Sequence, residues 1–215
     1  MAELAVKDGE TIVFAGDSIT DCGRRGEHAP LGNGYVHMFN CLILAKYPER
    51  KIRVVNVGIG GNTVLDLRNR WEDDVLSLEP DWVSVLIGIN DLHRMLAGQP
   101  GYDPENYYRN YREILGMTKE RLGARILLLS PFYISRSTTP NTHRRRVLET
   151  IPKYVEKVEA LSREFSTRYV NLHDVFQSLI GKREPTAYAP EPVHPNYAGH
   201  TVIALQVLKA LEGKE

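Results

Sequence analysis

Residues 12–23 read IVFAGDSITDCG. The apolar run Ile12 to Ala15 stops abruptly at Gly16-Asp17-Ser18. An unbroken apolar run of this kind fits a strand covered on both faces. Gly, Asp and Ser then supply the turn that ends it. Turn chemistry alone accounts for these residues, so the rest of the chain must decide whether Ser18 does more.

Similar runs recur at Ile52 to Val57, Trp82 to Ile87, Ile126 to Leu129 and Tyr169 to Leu172. Helical patterns separate or follow them, at Tyr35 to Tyr47, Val64 to Leu78, Pro104 to Leu122, Val147 to Thr167, Val175 to Ile180 and Asn196 to Leu211. In the last, Ala204, Val207, Leu208 and Leu211 form a core-facing stripe at helical spacing. Strand–helix alternation implies a parallel sheet with right-handed crossovers. The expectation is an α/β fold, a three-layer α/β/α sandwich around a five-stranded parallel, flavodoxin-like sheet. No repeat or linker interrupts the chain, so one domain over 1–215 is expected.

The segments after the strands are long or glycine-rich: 21–34, 58–63, 88–104 and 131–146. An irregular stretch, 181–195, precedes the last helix. Open α/β sheets bind ligands outside the carboxyl ends of their strands. The long loops therefore gather, with Ser18, on the edge where a site is expected.

Four of these segments carry residues that complement a serine. After Gly16-Asp17-Ser18 come Gly58-Ile59-Gly60-Gly61-Asn62-Thr63, Gly88-Ile89-Asn90-Asp91 and Glu191-Pro192-Val193-His194-Pro195. Serine is a weak nucleophile until a base, commonly histidine, takes its proton. An acid must hold that imidazole in one tautomer, and Glu191 lies three residues before His194. Acyl transfer also needs donors for a developing oxyanion. The N–H groups of Ser18 and Gly61 and the amide of Asn90 can supply three.

The blocks GDSIT at 16–20, IGGNT at 59–63, GIND at 88–91 and EPVHPN at 191–196 resemble, in order and spacing, those of the SGNH or GDSL hydrolases. GDSITDCGR, RVVNVGIGGNT, RWEDDV, PDWVSVLIGIND and PFYI are similar to the bacterial xylan acetylesterase branch. The resemblance implies a flavodoxin-like sandwich and a serine esterase without metal or organic cofactor. Ser18 would be the nucleophile and His194 the base. Gly61, Asn90 and the Ser18 amide would form the oxyanion hole. It further implies acetylated xylo-oligosaccharides or related sugars as substrate, and a homo-oligomer. The family usually places aspartate three residues before the histidine; here Glu191 stands there. Glutamate can serve as a triad acid, but Glu191 could also point away, leaving His194 to a backbone carbonyl, or the triad could be impaired. A thioesterase or lysophospholipase-like acyl hydrolase and a non-catalytic carbohydrate-binding protein are the alternatives.

Other residues of these loops invite roles. Asp17, Asn62, His93, Arg94, Tyr35 and Tyr188 are candidate substrate contacts, although Asp17 suits a cap on neighbouring amides. Asn62 and Thr63 suit orientation of the Gly61 loop or a helix cap. Asp91 suits a buttress for the Asn90 loop. Trp71 suits the core better than a sugar platform, and His200 a structural hydrogen bond. The run His143-Arg144-Arg145-Arg146 reads as a solvated helix start, and 135–142 as a lid or an oligomer contact.

Composition excludes several classes. Lys+Arg 27 balances Asp+Glu 27, which argues against nucleic acid or a membrane surface held by bulk charge. Cys22 and Cys41 make no disulfide framework. MAELAVKDGE lacks the pattern of a signal peptide, and no run is long enough to span a bilayer, so a cytoplasmic protein is expected. Neither a phosphate-binding G-x-G-x-x-G nor a G-x-S-x-G elbow nor H-E-x-x-H occurs.

Overall fold

The computed structural model describes residues 3–137 and 139–213. Five parallel strands form its sheet: β1 Thr11–Gly16, β2 Arg53–Asn56, β3 Trp82–Leu86, β4 Arg125–Leu129 and β5 Arg168–Val170, in the order β2-β1-β3-β4-β5. β1 and β3, in the middle, are buried almost end to end. The edge strands β2 and β5 are mostly half-buried and shorter than their apolar runs suggest. At the end of β5, Asn171 leaves the sheet because its side chain caps the next helix by accepting from the Asp174 N–H.

The helices are α1 Ser18–Asp21, α2 Tyr35–Lys46, α3 Val64–Asp74, α4 Ile89–Leu96, α5 Pro104–Leu122, α6 His143–Glu164, α7 Leu172–Ile180 and α8 Tyr197–Leu211. α2 packs on α8, and α3 and α6 each pack on α5. Right-handed crossovers put these two groups on opposite faces of the sheet. Trp71 is buried between α3 and α5 and donates its indole N–H to Thr118 Oγ1 at 3.0 Å, so it belongs to the core. Among the described residues no helix is long and apolar enough to cross a membrane.

Several boundaries differ from expectation, and α3 ends at Asp74 rather than Leu78. The segment 88–104 is not all loop: α4 forms inside it, burying Ile89 and Leu92 on one side. Ile89, Leu92 and Leu96 stand at i, i+3 and i+7, a two-turn core-facing stripe set between glycine and proline signals. α6 starts at His143 rather than Val147, because Thr142 accepts from the Arg145 N–H and caps it there. α7 likewise starts at Leu172 rather than Val175.

The strand order reverses between β1 and β3, which opens a crevice at their carboxyl ends. α1 turns into that crevice immediately after β1. Gly16 permits it: a Cβ there would sit 2.2 Å from Thr20 Oγ1 and 2.5 Å from the Leu86 carbonyl oxygen of β3.

Candidate active site

Ser18 opens α1 directly beyond β1. Asp17 caps this helix, accepting from the Ile19 N–H at 2.9 Å. The Ser18 N–H is the first of the helix and has no intrahelical partner. Ser18 Oγ lies 2.9 Å from His194 Nε2. His194 Nδ1 lies 2.5 Å from Glu191 Oε1. Because a carboxylate only accepts, Nδ1 carries a proton and Nε2 faces the serine as acceptor.

Glu191 does not point away. Its carboxylate also takes the His194 N–H at 2.7 Å and the Val193 N–H at 2.9 Å. Burial acts to raise its pKa, but those two N–H groups, the imidazole hydrogen bond and the charge of His194 together hold it below the ordinary value. The loop that carries both residues is fixed at its ends. Asn196 N–H donates to the Tyr188 carbonyl at 2.9 Å, and Ile134 N–H donates to the Pro192 carbonyl at 2.8 Å.

The second wall is the turn Ile59–Asn62, closed by Asn62 N–H on the Ile59 carbonyl at 3.2 Å. Gly61 has φ +80°, the left-handed value a type II turn demands at that position. A Cβ on Gly60 would stand 3.8 Å from Ser18 Cβ, so this turn flanks the serine directly. Asn90, on α4, donates Nδ2 to the Asn62 carbonyl at 2.9 Å, which leaves its second amide proton for another acceptor. Asp91 accepts the Val64 N–H through both oxygens, at 3.1 and 3.2 Å. It thereby braces the end of the Gly61 loop rather than Asn90 itself. Burial pushes the Asp91 carboxyl up to about 7.

The remaining candidates divide. His93 lies beside this site: its ring is 5.3 Å from His143 and 6.3 Å from Tyr133, centroid to centroid, and it feels the charges of Glu191 and His194. Arg94 turns to the Gly61 carbonyl at 3.3 Å and the Tyr102 hydroxyl at 2.8 Å. Asn62 gives its side-chain oxygen to Arg70 at 2.8 Å, while Thr63 and Asp66 form a capping box on α3. Tyr188 is half-buried against the core.

Two expected substrate contacts are corrected. Tyr35 is fully buried, with its hydroxyl 3.0 Å from Thr20 Oγ1, because it sits on the apolar stripe of α2 with Val36, Phe39 and Ile43. Asp17 is 1% exposed and spends its carboxylate on capping; burial pushes that carboxyl up to about 7. His200 is structural, accepting the Tyr35 N–H at 3.2 Å, and burial pushes it down to about 4.

Residues that the sequence patterns do not single out hold the loops. Asn56 donates to the carbonyls of Thr20 at 2.6 Å and Leu31 at 2.8 Å and accepts from Gly58 N–H at 2.9 Å. Asp21 accepts the Gly60 N–H at 3.1 Å. Arg70 reaches the carbonyls of Val57 and Gly16. Apart from the local bond between Asn56 and Gly58, these partners are main-chain groups of other segments, and no local motif marks such contacts.

The family profile described as GDSL-like Lipase/Acylhydrolase matches residues 14–202. The chain is 37% identical over 217 residues to an acetylxylan esterase of Geobacillus stearothermophilus, covering 97% of this chain and 96% of that protein. The crystal structure of Axe2, an acetylxylan esterase from the same organism, matches with a TM-score of 0.86 and 38% identity over 99% of this chain and 98% of that one. Similar structures include catalytic mutants of Axe2 with alanine in place of a serine, an aspartate or a histidine. LAE5, an alpha/beta hydrolase enzyme from the metagenome of Lake Arreo, matches with a TM-score of 0.85 and 32% identity over 97% of this chain and 98% of that one. The chain belongs to the GDSL-like lipase/acylhydrolase family and is a carboxylic ester hydrolase.

Proposed function

We propose that this chain, folded as one hydrolase domain, is a serine esterase that removes acetyl groups from acetylated xylo-oligosaccharides or related sugars through an acyl-serine intermediate. The observation that carries the reading is the line of Ser18 Oγ, His194 and Glu191, bonded at 2.9 and 2.5 Å. His194 Nε2 takes the Ser18 proton as Oγ attacks the ester carbonyl. The negative charge forms on the carbonyl oxygen, where the Ser18 N–H, the Gly61 N–H and the free Asn90 amide proton receive it. His194 returns the proton to the departing sugar oxygen, which leaves an acetyl ester on Ser18. The same nitrogen then takes a proton from water as the water oxygen attacks the acetyl carbon, and passes it to Ser18 Oγ as the bond from that carbon to Oγ breaks, so acetic acid departs and Ser18 and His194 are restored. Glu191 fixes the ring tautomer and supports its positive charge in both halves.

Three facts support this reading. The chain is similar to acetylxylan esterases over nearly its full length. The loops and helix that carry the site bear polar side chains that are at least partly exposed: Asn62, His93, Arg94 and Glu191. The Axe2 catalytic mutants replace an aspartate and a histidine numbered three apart, the spacing that separates Glu191 from His194 here. A cytoplasmic site of action and a homo-oligomer complete the proposal; cell fractionation and sedimentation test them. The principal experiment is acetate release from a panel of acetylated sugars, with fatty acyl esters as counter-screen. Acetylated xylo-oligosaccharides should be the best substrates, and Ser18→Ala should lose at least roughly 10³-fold in kcat. Preference for long acyl chains, or a Ser18→Ala variant as active as the native chain, would overturn the reading.

A further inference from the structure

We infer that Arg70 is a positioning residue of ester hydrolysis, which sets the spacing between the Ser18 turn and the Gly61 turn. The inference rests on the proposed roles of those two turns as donors to one oxyanion. Their N–H groups come from different segments, one following β1 and one following β2. The β1–β2 register ends at Phe14 opposite Asn56. Main-chain bonds carry the contact only a little further: Val57 N–H on the Phe14 carbonyl at 2.9 Å and Ile59 N–H on the Gly16 carbonyl at 3.1 Å.

Arg70 joins the segments where the ladder gives out. It reaches them from α3, with its side chain only 16% exposed. Nη2 donates to the Gly16 carbonyl at 3.4 Å, one peptide before the Asp17–Ser18 turn. Nη1 donates to the Val57 carbonyl at 2.8 Å, where the second loop begins. Nε donates to Asn62 Oδ1 at 2.8 Å, next to Gly61. Asp74, one helical turn on, neutralises the cation at 2.5 Å. One planar fork thus fixes both ends of the Gly61 loop and the base of the nucleophile turn. A lysine ammonium, a point charge on a flexible stem, cannot serve these three acceptors in that geometry.

Arg70 is remote from the reacting atoms by this account, so its loss should act on the transition state more than on substrate binding. An oxyanion hole displaced by a fraction of an ångström loses stabilisation that the ground state never had. Arg70→Lys should therefore lower kcat about 10- to 100-fold with KM held within about threefold, as misplacement of a catalytic group predicts. Arg70→Ala should show the same loss and recover at least roughly fivefold with millimolar guanidinium but not with methylammonium, since only the former reproduces the planar fork. Glu72→Gln, on the same helix, removes a surface pair with Arg121 (2.8 Å between Arg121 Nη2 and Glu72 Oε1) and should keep full kcat. Should Arg70→Ala fail to fold, Arg70→Lys alone decides. A kcat for Arg70→Lys within twofold of native, or a rise in KM at unchanged kcat, overturns the positioning role. Ser18→Ala, run beside it, separates the two ideas: if it is inert while Arg70→Lys is unaffected, only the positioning role falls; if it is active, the site reading falls first.

Discussion

Glu191→Gln tests the feature in which this chain departs from its family. Glu191 accepts three hydrogen bonds, two of them through Oε1: the His194 N–H at 2.7 Å and the His194 ring at 2.5 Å. Oε2 accepts the Val193 N–H at 2.9 Å. Glutamine is nearly isosteric but has one acceptor oxygen and one donor group. With its oxygen in place of Oε1, the NH2 faces the Val193 N–H, donor against donor. With the amide reversed, the NH2 faces the ring and drives the imidazole proton to Nε2, which disarms the base. Either way the negative charge beside the imidazolium is gone.

The size of the loss follows from that charge. Two unit charges about 4 Å apart attract by about 1 kcal/mol in water and about 4 kcal/mol at an effective dielectric of 20. Glu191 has a side chain 45% exposed, so solvent screens part of this. Those bounds correspond to roughly 5-fold to 10³-fold in kcat, and a lost tautomer would push toward the upper one. The assay is steady-state hydrolysis of p-nitrophenyl acetate, with Ser18→Ala as baseline. KM should change little. A companion variant, Glu191→Asp, retracts the carboxylate by about one C–C bond, ~1.5 Å, so the ring contact opens beyond hydrogen-bond range unless the loop moves. Pro192 and Pro195 resist that movement. Glu191→Asp should fall at least roughly tenfold even though aspartate is the family's usual residue. Full activity in Glu191→Gln would mean that another group orients His194, and the assignment would be wrong.

Gly61→Ala should cost activity with little change in stability. A Cβ there meets nothing within 4 Å, so the strain is purely that of φ +80°. That strain is about 1–2 kcal/mol and is relieved by flipping the Gly60–Gly61 peptide, which turns the residue 61 N–H away from Ser18. The expected fall in kcat is about 10- to 10³-fold, with Gly61→Asn, tolerant of left-handed φ, less affected; equal rates for Gly61→Ala and the native chain would refute this. Asp91→Asn concerns pH. The Asp91 carboxyl is raised from 3.8 to about 7, chiefly by burial, so the folded chain keeps a proton that the unfolded chain releases in that window. Native stability therefore falls as pH climbs from 3.8 toward 7 and levels off above it. Asparagine still accepts the Val64 N–H but does not titrate. The stability of Asp91→Asn relative to the native chain should thus be higher at pH 8 than at pH 5 by urea denaturation, and an equal difference at both pH values would refute the assignment.

Fold and site were unequally legible in the sequence. The middle strands β1, β3 and β4 announce themselves because both their faces are covered, which leaves apolar runs with no polar alternation. β2 and β5 lie at the edges, where half-burial blurs the pattern and the boundaries shift. Ser18, Gly61, Asn90, Glu191 and His194 lie in segments that follow strands or precede the last helix, and their residue types match one chemistry, so their grouping could be anticipated from the sequence. Tyr35 misleads because it follows a glycine in a loop-like stretch, although Val36, Phe39 and Ile43 continue its stripe into the core. Arg70, Asn56 and Asp21 bond mainly to peptide groups of other segments. Such contacts depend on where loops lie in space, and no spacing in the chain encodes them.

The two halves of the site are built on different principles. Ser18, Gly61 and Asn90 come from three elements, and their mutual placement depends on long-range braces such as Asn90 on the Asn62 carbonyl and Asp91 on the Val64 N–H. Glu191 and His194 belong to one short turn, whose acid is held by the N–H groups of Val193 and His194 themselves. A change of acid in that turn alters only bonds inside it. The distance from carboxylate to imidazole is set by residues 191–194 and the prolines around them, not by the sheet. That locality explains how glutamate can occupy a position where relatives carry aspartate: the extra methylene is absorbed within the turn, and Nε2 still stands 2.9 Å from Ser18 Oγ. No comparable freedom exists at Asn90, whose amide must reach the Asn62 carbonyl from a different element.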